Sequence, residues 1–147
     1  MKRRPPVCEN RLWQPEEALP RAELEALQLA RLKDLVARVA HVPFYQRRFE
    51  KERISPGRIR SLDDLGRLPF TTKTDLRDNY PIGFLAVPRD QVIRFHGSSG
   101  TTGKPTFVAY TREDLVTWSD LCARFLFAGG LRPGHTVKVA FGYGLFT

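Results

Sequence analysis

The chain has 147 residues, of which 41% are hydrophobic and 27% are charged, and its formal net charge is +8. This size and composition suit one globular domain with a core of its own. No run of about 18 apolar residues occurs, and the two cysteines, Cys8 and Cys122, have no histidine at ligand spacing, so we expect a cytoplasmic protein without a membrane span, a disulfide or a zinc site.

The basic residues are concentrated in the first part of the chain. Residues 1–60 contain 14 Lys and Arg against 8 Asp and Glu, whereas residues 61–147 contain 10 against 8. Clustered cations are typical of nucleic-acid binding, because they neutralise phosphates and release counterions. Acidic residues are interleaved throughout, however, and no basic run with interleaved aromatic residues occurs. A solvated helix face explains the same charges, so we expect no nucleic-acid partner.

The first predicted element is an amphipathic helix. Its apolar residues recur with the 3.6-residue period, and Pro20 ahead of them suits a first helical turn. We expect the apolar stripe to face the core. It consists of Leu24, Leu29, Leu32, Leu35, Val36 and Val39.

Several short helices are predicted between residues 41 and 88. Each begins at a capping residue followed by a proline or by an aspartate three positions on, namely Ser55 before Pro56, Ser61 with Asp64, and Thr72 with Asp75. Prolines at 69, 81 and 88 interrupt the helical pattern, because proline lacks an N–H and disfavours helical geometry in the residue before it. The sequence therefore predicts a mainly helical segment over residues 1–88.

From residue 89 onward the pattern indicates strands. Residues 92–95 and 106–110 are each predicted as a strand, and the Gly, Ser and Thr run at 97–103 as the loop between them. Thr111 with Asp114 predicts the start of a helix that ends at Gly129 and Gly130. A turn at 133–134 then leads to a third predicted strand over 136–141. We expect an α/β fold, with residues 89–147 forming the start of an incomplete α/β core.

The predicted loop has the composition of an anion site. Glycines at 97, 100 and 103 allow a close backbone approach, four hydroxyl groups lie between them, and Lys104 supplies a positive charge. The spacing fits neither a Walker A loop nor a dinucleotide fingerprint, since Lys104 is followed by proline and the loop leads into a strand. Turns favour the same residue types, so a flexible hairpin is the alternative interpretation.

The string from Ser98 to Thr106, SSGTTGKPT, closely resembles the signature phosphate loop of the acyl-adenylate-forming ligases. Residues 68–81 and 141–147 resemble the phenylacetate–CoA ligase family of that superfamily, as do residues 42–45 and the segment around Trp13 and Pro15. Two positions depart from the family pattern, with Gly97 where alanine is common and Phe141 where tyrosine is common. The resemblance extends over roughly residues 10 to 147 and implies the N-terminal portion of such an enzyme.

The resemblance implies an ATP-dependent ligase that joins a small aromatic carboxylic acid to CoA, with AMP and pyrophosphate released. ATP, Mg²⁺ and CoA are the implied co-substrates. The loop would bind the ATP phosphates through Ser98, Ser99, Gly100, Thr101, Thr102, Gly103 and Lys104.

Three aromatic residues, Phe141, Tyr143 and Phe146, would form part of the acid pocket by resemblance, although a core cluster is an equal alternative. His96, beside the loop, could bond a substrate or a neighbouring backbone group. No catalytic residue and no metal ligand is assigned to this chain. The adenine site, the acidic residues for ribose and magnesium and the catalytic lysine of the family would all lie beyond residue 147.

We therefore expect the chain alone to be inactive, whether it is a natural truncation, a fragment or half of a split enzyme. The leading hypothesis is part of an aryl or phenylacetate–CoA ligase, with a homodimer left open. A non-catalytic phosphate-binding module that uses the same loop is the second hypothesis, and a basic nucleic-acid-binding domain is the third.

Overall fold

A computed structural model of the chain describes residues 12–98 and 105–140. Within these ranges it contains the helices α1 (Arg21–Val39), α2 (Pro43–Glu52), α3 (Lys73–Asp78) and α4 (Arg112–Ala128), and the strands β1 (Arg94–Gly97) and β2 (Phe107–Tyr110). Short 3₁₀ turns lie at Pro15–Ala18, Pro56–Arg58, Leu62–Arg67 and Arg89–Gln91. None of the helices in the described ranges combines the length and the apolar character that a membrane span requires.

The hydrophobic core lies where α1 meets α2 and the turns that follow. Val36, Phe49 and Ile59 are 2%, 6% and 6% exposed, and they pack together. The predicted helix over the Leu24–Val39 region is confirmed, and most of its stripe contacts this cluster. Leu35 is an exception: it is 56% exposed, because it lies beside the core on a side of α1 where apolar clefts remain open.

The predicted starts in the 55–75 region are confirmed, although those after Ser55 and Ser61 open 3₁₀ turns and Ser55 makes no side-chain cap bond. Asp64 accepts hydrogen bonds from the backbone N–H groups of Arg60 and Ser61, at 2.8 and 3.0 Å. In α3, the Thr72 N–H donates to Asp75 across 2.7 Å, and the Asp75 N–H donates back to the Thr72 hydroxyl across 3.2 Å. These reciprocal bonds satisfy backbone donors that a helix start would otherwise leave unpaired.

Strands β1 and β2 form an antiparallel hairpin. The register pairs Arg94 with Tyr110 at one end and Gly97 with Phe107 at the other. The second predicted strand is thus confirmed, but the first begins and ends two residues later than predicted, so that Gly97 is in β1 and not in the loop. The 3₁₀ turn Arg89–Gln91 accounts for this shift, because the Val92 N–H donates to the Arg89 carbonyl and is unavailable to the sheet.

Helix α4 follows β2 directly and has the predicted ends. Thr111 and Asp114 form the expected reciprocal cap, with the Thr111 N–H donating to Asp114 across 2.8 Å. After α4 the backbone of Gly130 takes φ +95°, a conformation that favours glycine, and the helix ends there.

The third predicted strand is wrong over its described part. Residues 136–140 are exposed and unassigned to any sheet, and Phe141, the last predicted residue, lies outside the described residues. A strand needs a neighbour to pair with its backbone, and none of the described segments provides one here.

Candidate functional site

The hairpin places the two ends of the predicted phosphate loop side by side. Gly97 is the last residue of β1, and Phe107, opposite it, is the first residue of β2. Because the strands are antiparallel and hydrogen-bonded, the chain must leave and return at adjacent points. Paired strands therefore flank the predicted loop, although Gly97, which was predicted as its first residue, belongs to β1.

Ser98 and Thr106 continue the pairing one step past the strands. The Ser98 N–H donates to the Thr106 carbonyl across 3.0 Å. The two side-chain hydroxyl groups lie 2.8 Å apart, and the Thr106 N–H donates to Ser98 Oγ across 3.2 Å. We call this pair the neck of the hairpin. Its side-chain bond joins the two residues that flank segment 99–105.

An aromatic cluster fastens one face of the hairpin to α4. The ring of His96 lies 5.2 Å from those of Tyr110 and Trp118, and the rings of Tyr110 and Trp118 stack at 5.4 Å. His96 and Tyr110 belong to neighbouring strands, whereas Trp118 projects from the second turn of α4. Such ring contacts stabilise the orientation of the hairpin relative to the helix.

An open cleft of about 290 Å³ extends along β2, from Phe107 to Thr111 just after the strand. Phe107 contributes to its wall, and its ring lies 5.4 Å from that of Tyr80. Further apolar lining comes from Leu35 and Val39 of α1 and from Phe84. Two structural elements thus contact β2. Helix α4 contacts Tyr110, and the 80–87 segment contacts Phe107.

The candidate site is described in part. Of the predicted phosphate ligands, Ser98 has the contacts given above, while Ser99, Gly100, Thr101, Thr102, Gly103 and Lys104 lie outside the described residues. The predicted acid-pocket residues Phe141, Tyr143 and Phe146 lie outside them as well. In the described ranges no three or more His, Cys, Asp or Glu side chains come together as a metal site.

Sequence reasoning did not assign a role to Thr106, nor did it connect His96 with Trp118. The contact with Trp118 depends on how α4 packs, which local patterns do not specify.

No family model matches the chain. Curated relatives do match it. The chain is 56% identical over 138 residues to the phenylacetate–coenzyme A ligase of Thermus thermophilus, a match that covers 92% of this chain and 31% of the relative. It is 51% identical over 135 residues to that of Aromatoleum evansii, covering 91% and 31%, and 49% identical over 139 residues to that of Escherichia coli K12, covering 94% and 32%. The chain thus spans about a third of the length of these relatives.

A solved structure gives the same result for the fold. The chain superposes with a TM-score of 0.79 and 34% identity on a 2-hydroxyisobutyryl-CoA ligase in complex with 2-HIB-AMP and CoA in the thioesterification state. The match covers 89% of this chain and 29% of that chain. The predicted fold, a truncated portion of an adenylate-forming ligase, is confirmed by this similarity. The chain is therefore similar, at 49–56% identity, to an N-terminal portion of phenylacetate–coenzyme A ligases.

Proposed function

We propose that this chain supplies the ATP phosphate loop of an aryl-CoA or phenylacetate–CoA ligase. In this proposal residues 1–88 form the helical segment and residues 89–147 begin the α/β core. The observation that carries it is the anchored hairpin: two paired strands and the Ser98–Thr106 neck hold the ends of a string that resembles a phosphate loop. The 46–56% identity to phenylacetate–coenzyme A ligases supports the same conclusion.

The proposed reaction has two steps. The carboxylate of the acid attacks the α-phosphorus of ATP, so that an acyl-adenylate forms and pyrophosphate leaves. The CoA thiol, after losing its proton, then attacks the acyl carbon, and AMP leaves with the electron pair of the broken bond. Negative charge accumulates on the departing pyrophosphate in the first step, so donors that hold its oxygens lower the barrier.

The loop residues of this chain would act on that charge. The hydroxyl and backbone N–H groups from Ser98 to Gly103 would donate hydrogen bonds to the β- and γ-phosphates, and the Lys104 ammonium would offset their charge. None of these residues forms a covalent bond in the reaction. Mg²⁺ would enter with ATP as part of the substrate, and we assign no magnesium ligand to the described residues.

The acid would contact the aromatic residues Phe141, Tyr143 and Phe146, whose flat apolar faces suit an aromatic ring. The partners of the whole enzyme would then be a small aromatic carboxylic acid, ATP and CoA. We place the protein in the cytoplasm, without a nucleic-acid or membrane partner, and a homodimer is compatible with this proposal.

A hybrid ligase tests the proposal. In it, this chain replaces the matching segment of the Thermus thermophilus relative, to which it is 56% identical. With phenylacetate, ATP, Mg²⁺ and CoA, we expect AMP and thioester at a rate within about tenfold of the relative, a difference of ~1.4 kcal/mol in barrier. Reactions that omit phenylacetate or ATP are the controls. A hybrid that unfolds cooperatively on heating but forms no thioester would show that this chain does not serve the reaction.

A further inference from the structure

The neck of the hairpin contains more hydrogen bonds than strand pairing requires. Antiparallel pairing explains the Ser98 N–H bond to the Thr106 carbonyl. It does not explain the 2.8 Å contact between the two hydroxyl groups, nor the 3.2 Å bond from the Thr106 N–H to Ser98 Oγ. Both residues are half-buried, so these bonds form where water competes less than on an open surface.

These bonds restrict what the Ser98 hydroxyl can do. A serine hydroxyl has one proton to donate and two lone pairs that accept. The Thr106 N–H already occupies one lone pair of Ser98 Oγ. When the Thr106 hydroxyl also donates, both lone pairs are occupied and Ser98 keeps its proton for an outside acceptor. The oxygens of a phosphate group are acceptors of that kind.

We propose that Thr106 is a positioning residue for phosphate binding, acting through Ser98. This inference rests on the proposed function and adds a residue to it. The Thr106 hydroxyl keeps Ser98 available as a donor toward the phosphates. The same bond holds the two ends of the loop at a fixed separation, so that less conformational freedom is lost when ATP binds.

Two substitutions separate the hydroxyl from the shape of the side chain. Thr106→Val keeps a branched side chain that suits an extended backbone, but this side chain cannot bond to Ser98 Oγ, whereas the backbone N–H of residue 106 still can. Thr106→Ser keeps the hydroxyl and loses only a methyl group. A role in positioning predicts that valine is harmful and serine is tolerated, whereas a packing role predicts the reverse.

The first measurement uses the hybrid ligase and its Michaelis constants. We expect Thr106→Val to raise the KM for ATP by roughly three- to tenfold, the range expected for one lost hydrogen bond, and to leave the KM values for phenylacetate and CoA unchanged. The separate variant Thr106→Ser should have the parental KM for ATP. Equal losses for all three substrates, together with a lower melting temperature, would show a merely structural role and overturn the proposal.

The second measurement uses the 147-residue chain itself. Amide hydrogen exchange should become roughly three- to tenfold faster at Ser98 in Thr106→Val, while exchange at Ile93, bonded to the Tyr110 carbonyl at the other end of the hairpin, stays unchanged. Unchanged exchange at Ser98 would show that the hydroxyl bond does not hold the neck, and would overturn the proposal.

Lys104→Ala in the hybrid ligase distinguishes a failure of the Thr106 proposal from a failure of the proposed function of the loop. If Lys104→Ala raises the KM for ATP and Thr106→Val does not, the phosphate loop is correct and the role of Thr106 is wrong. If Lys104→Ala has no effect on ATP in an active hybrid, the proposed function of the loop itself fails.

Discussion

The guanidinium of Arg48 donates to the carboxylate of Asp75 across 3.1 Å, and this ion pair joins α2 to the first turn of α3. The second oxygen of the same carboxylate accepts hydrogen bonds from the N–H and the hydroxyl of Thr72, each at 2.7 Å. The bonds from Thr72, followed by the charge of Arg48, hold the pKa of Asp75 below its ordinary value of 3.8. One carboxylate thus caps α3 and attaches it to α2.

The stability of the chain should depend on this carboxylate in acid. Because the pKa of Asp75 is lowered in the folded state, its stabilisation is complete above 3.8 and is lost as the pH falls through the folded-state value. We expect the melting temperature to fall as the pH decreases below about 4, and to fall less in Asp75→Asn. Asp63→Asn, which removes an exposed carboxylate that makes none of these bonds, is the control. If the melting temperature of Asp75→Asn depends on pH in the same way as that of the parent chain, Asp75 does not have this role.

Asp64 should contribute in the same direction. Backbone hydrogen bonds from Arg60 and Ser61, and then the charge of Arg67, lower its pKa from the ordinary 3.8. Its stabilisation is likewise present above that value and lost below it. A combined Asp64→Asn and Asp75→Asn variant should therefore have a flatter profile in acid than either single variant. Thermal unfolding followed by circular dichroism measures this, and a combined variant no flatter than the single ones would refute it.

Two phenylalanines test where the core lies. Phe49 is 6% exposed in the cluster with Val36, so Phe49→Ala should lower the free energy of unfolding by about 3–5 kcal/mol. Phe70 is 88% exposed, and Phe70→Ala should change it by no more than about 0.5 kcal/mol. Urea denaturation of both variants gives the comparison. Equal losses would mean that the core has been misplaced.

The start of α4 provides a further test. The Thr111 hydroxyl accepts a hydrogen bond from the Asp114 N–H at 3.2 Å, so Thr111→Ala should lower the free energy of unfolding by about 1 kcal/mol. Thr111→Ser keeps the hydroxyl and should therefore keep most of this stabilisation. Thr117→Ala, at an exposed position inside the same helix, should be neutral or slightly stabilising because alanine favours helices. Urea denaturation separates the three variants. A loss at Thr117 as large as that at Thr111 would argue against the cap.

The helix starts were predictable from sequence because a cap is a local structure. Thr72 and Asp75, or Thr111 and Asp114, lie three residues apart, and their reciprocal bonds need nothing from the rest of the chain. The same locality explains the correct start of α4 after Thr111. The string at the loop was recognisable for a different reason, since it resembles a family signature and does not depend on a local folding rule.

The errors occurred where distant residues decide the structure. A strand over 136–141 requires a neighbouring strand, and periodicity alone does not reveal whether one is present. The start of β1 depends on a preceding turn and on its register with β2. Leu35 has the spacing of a core residue, yet its exposure depends on which other segments reach α1. The contact of His96 with Trp118 likewise depends on the packing of α4.

The 147-residue chain alone should not form a CoA thioester. The first step of the proposed reaction requires the carboxylate and the α-phosphorus of ATP to be held in one geometry, and this chain spans about a third of the length of its relatives. The purified chain should produce neither AMP nor thioester from phenylacetate, ATP, Mg²⁺ and CoA, with the Thermus thermophilus relative as the positive control. Turnover near that of the relative would show that the chain is sufficient by itself.

The most direct test of the central claim is pyrophosphate exchange into ATP, which isolates the first step of the proposed reaction. In the hybrid ligase, the phenylacetate-dependent exchange rate should fall by about 10²-fold in Lys104→Ala, because the variant loses the charge that we propose to stabilise the departing pyrophosphate. Lys33→Ala, at an exposed position on α1, is the matched control and should exchange at the parental rate. Parental exchange by a folded Lys104→Ala hybrid would contradict the claim that this loop binds the ATP phosphates.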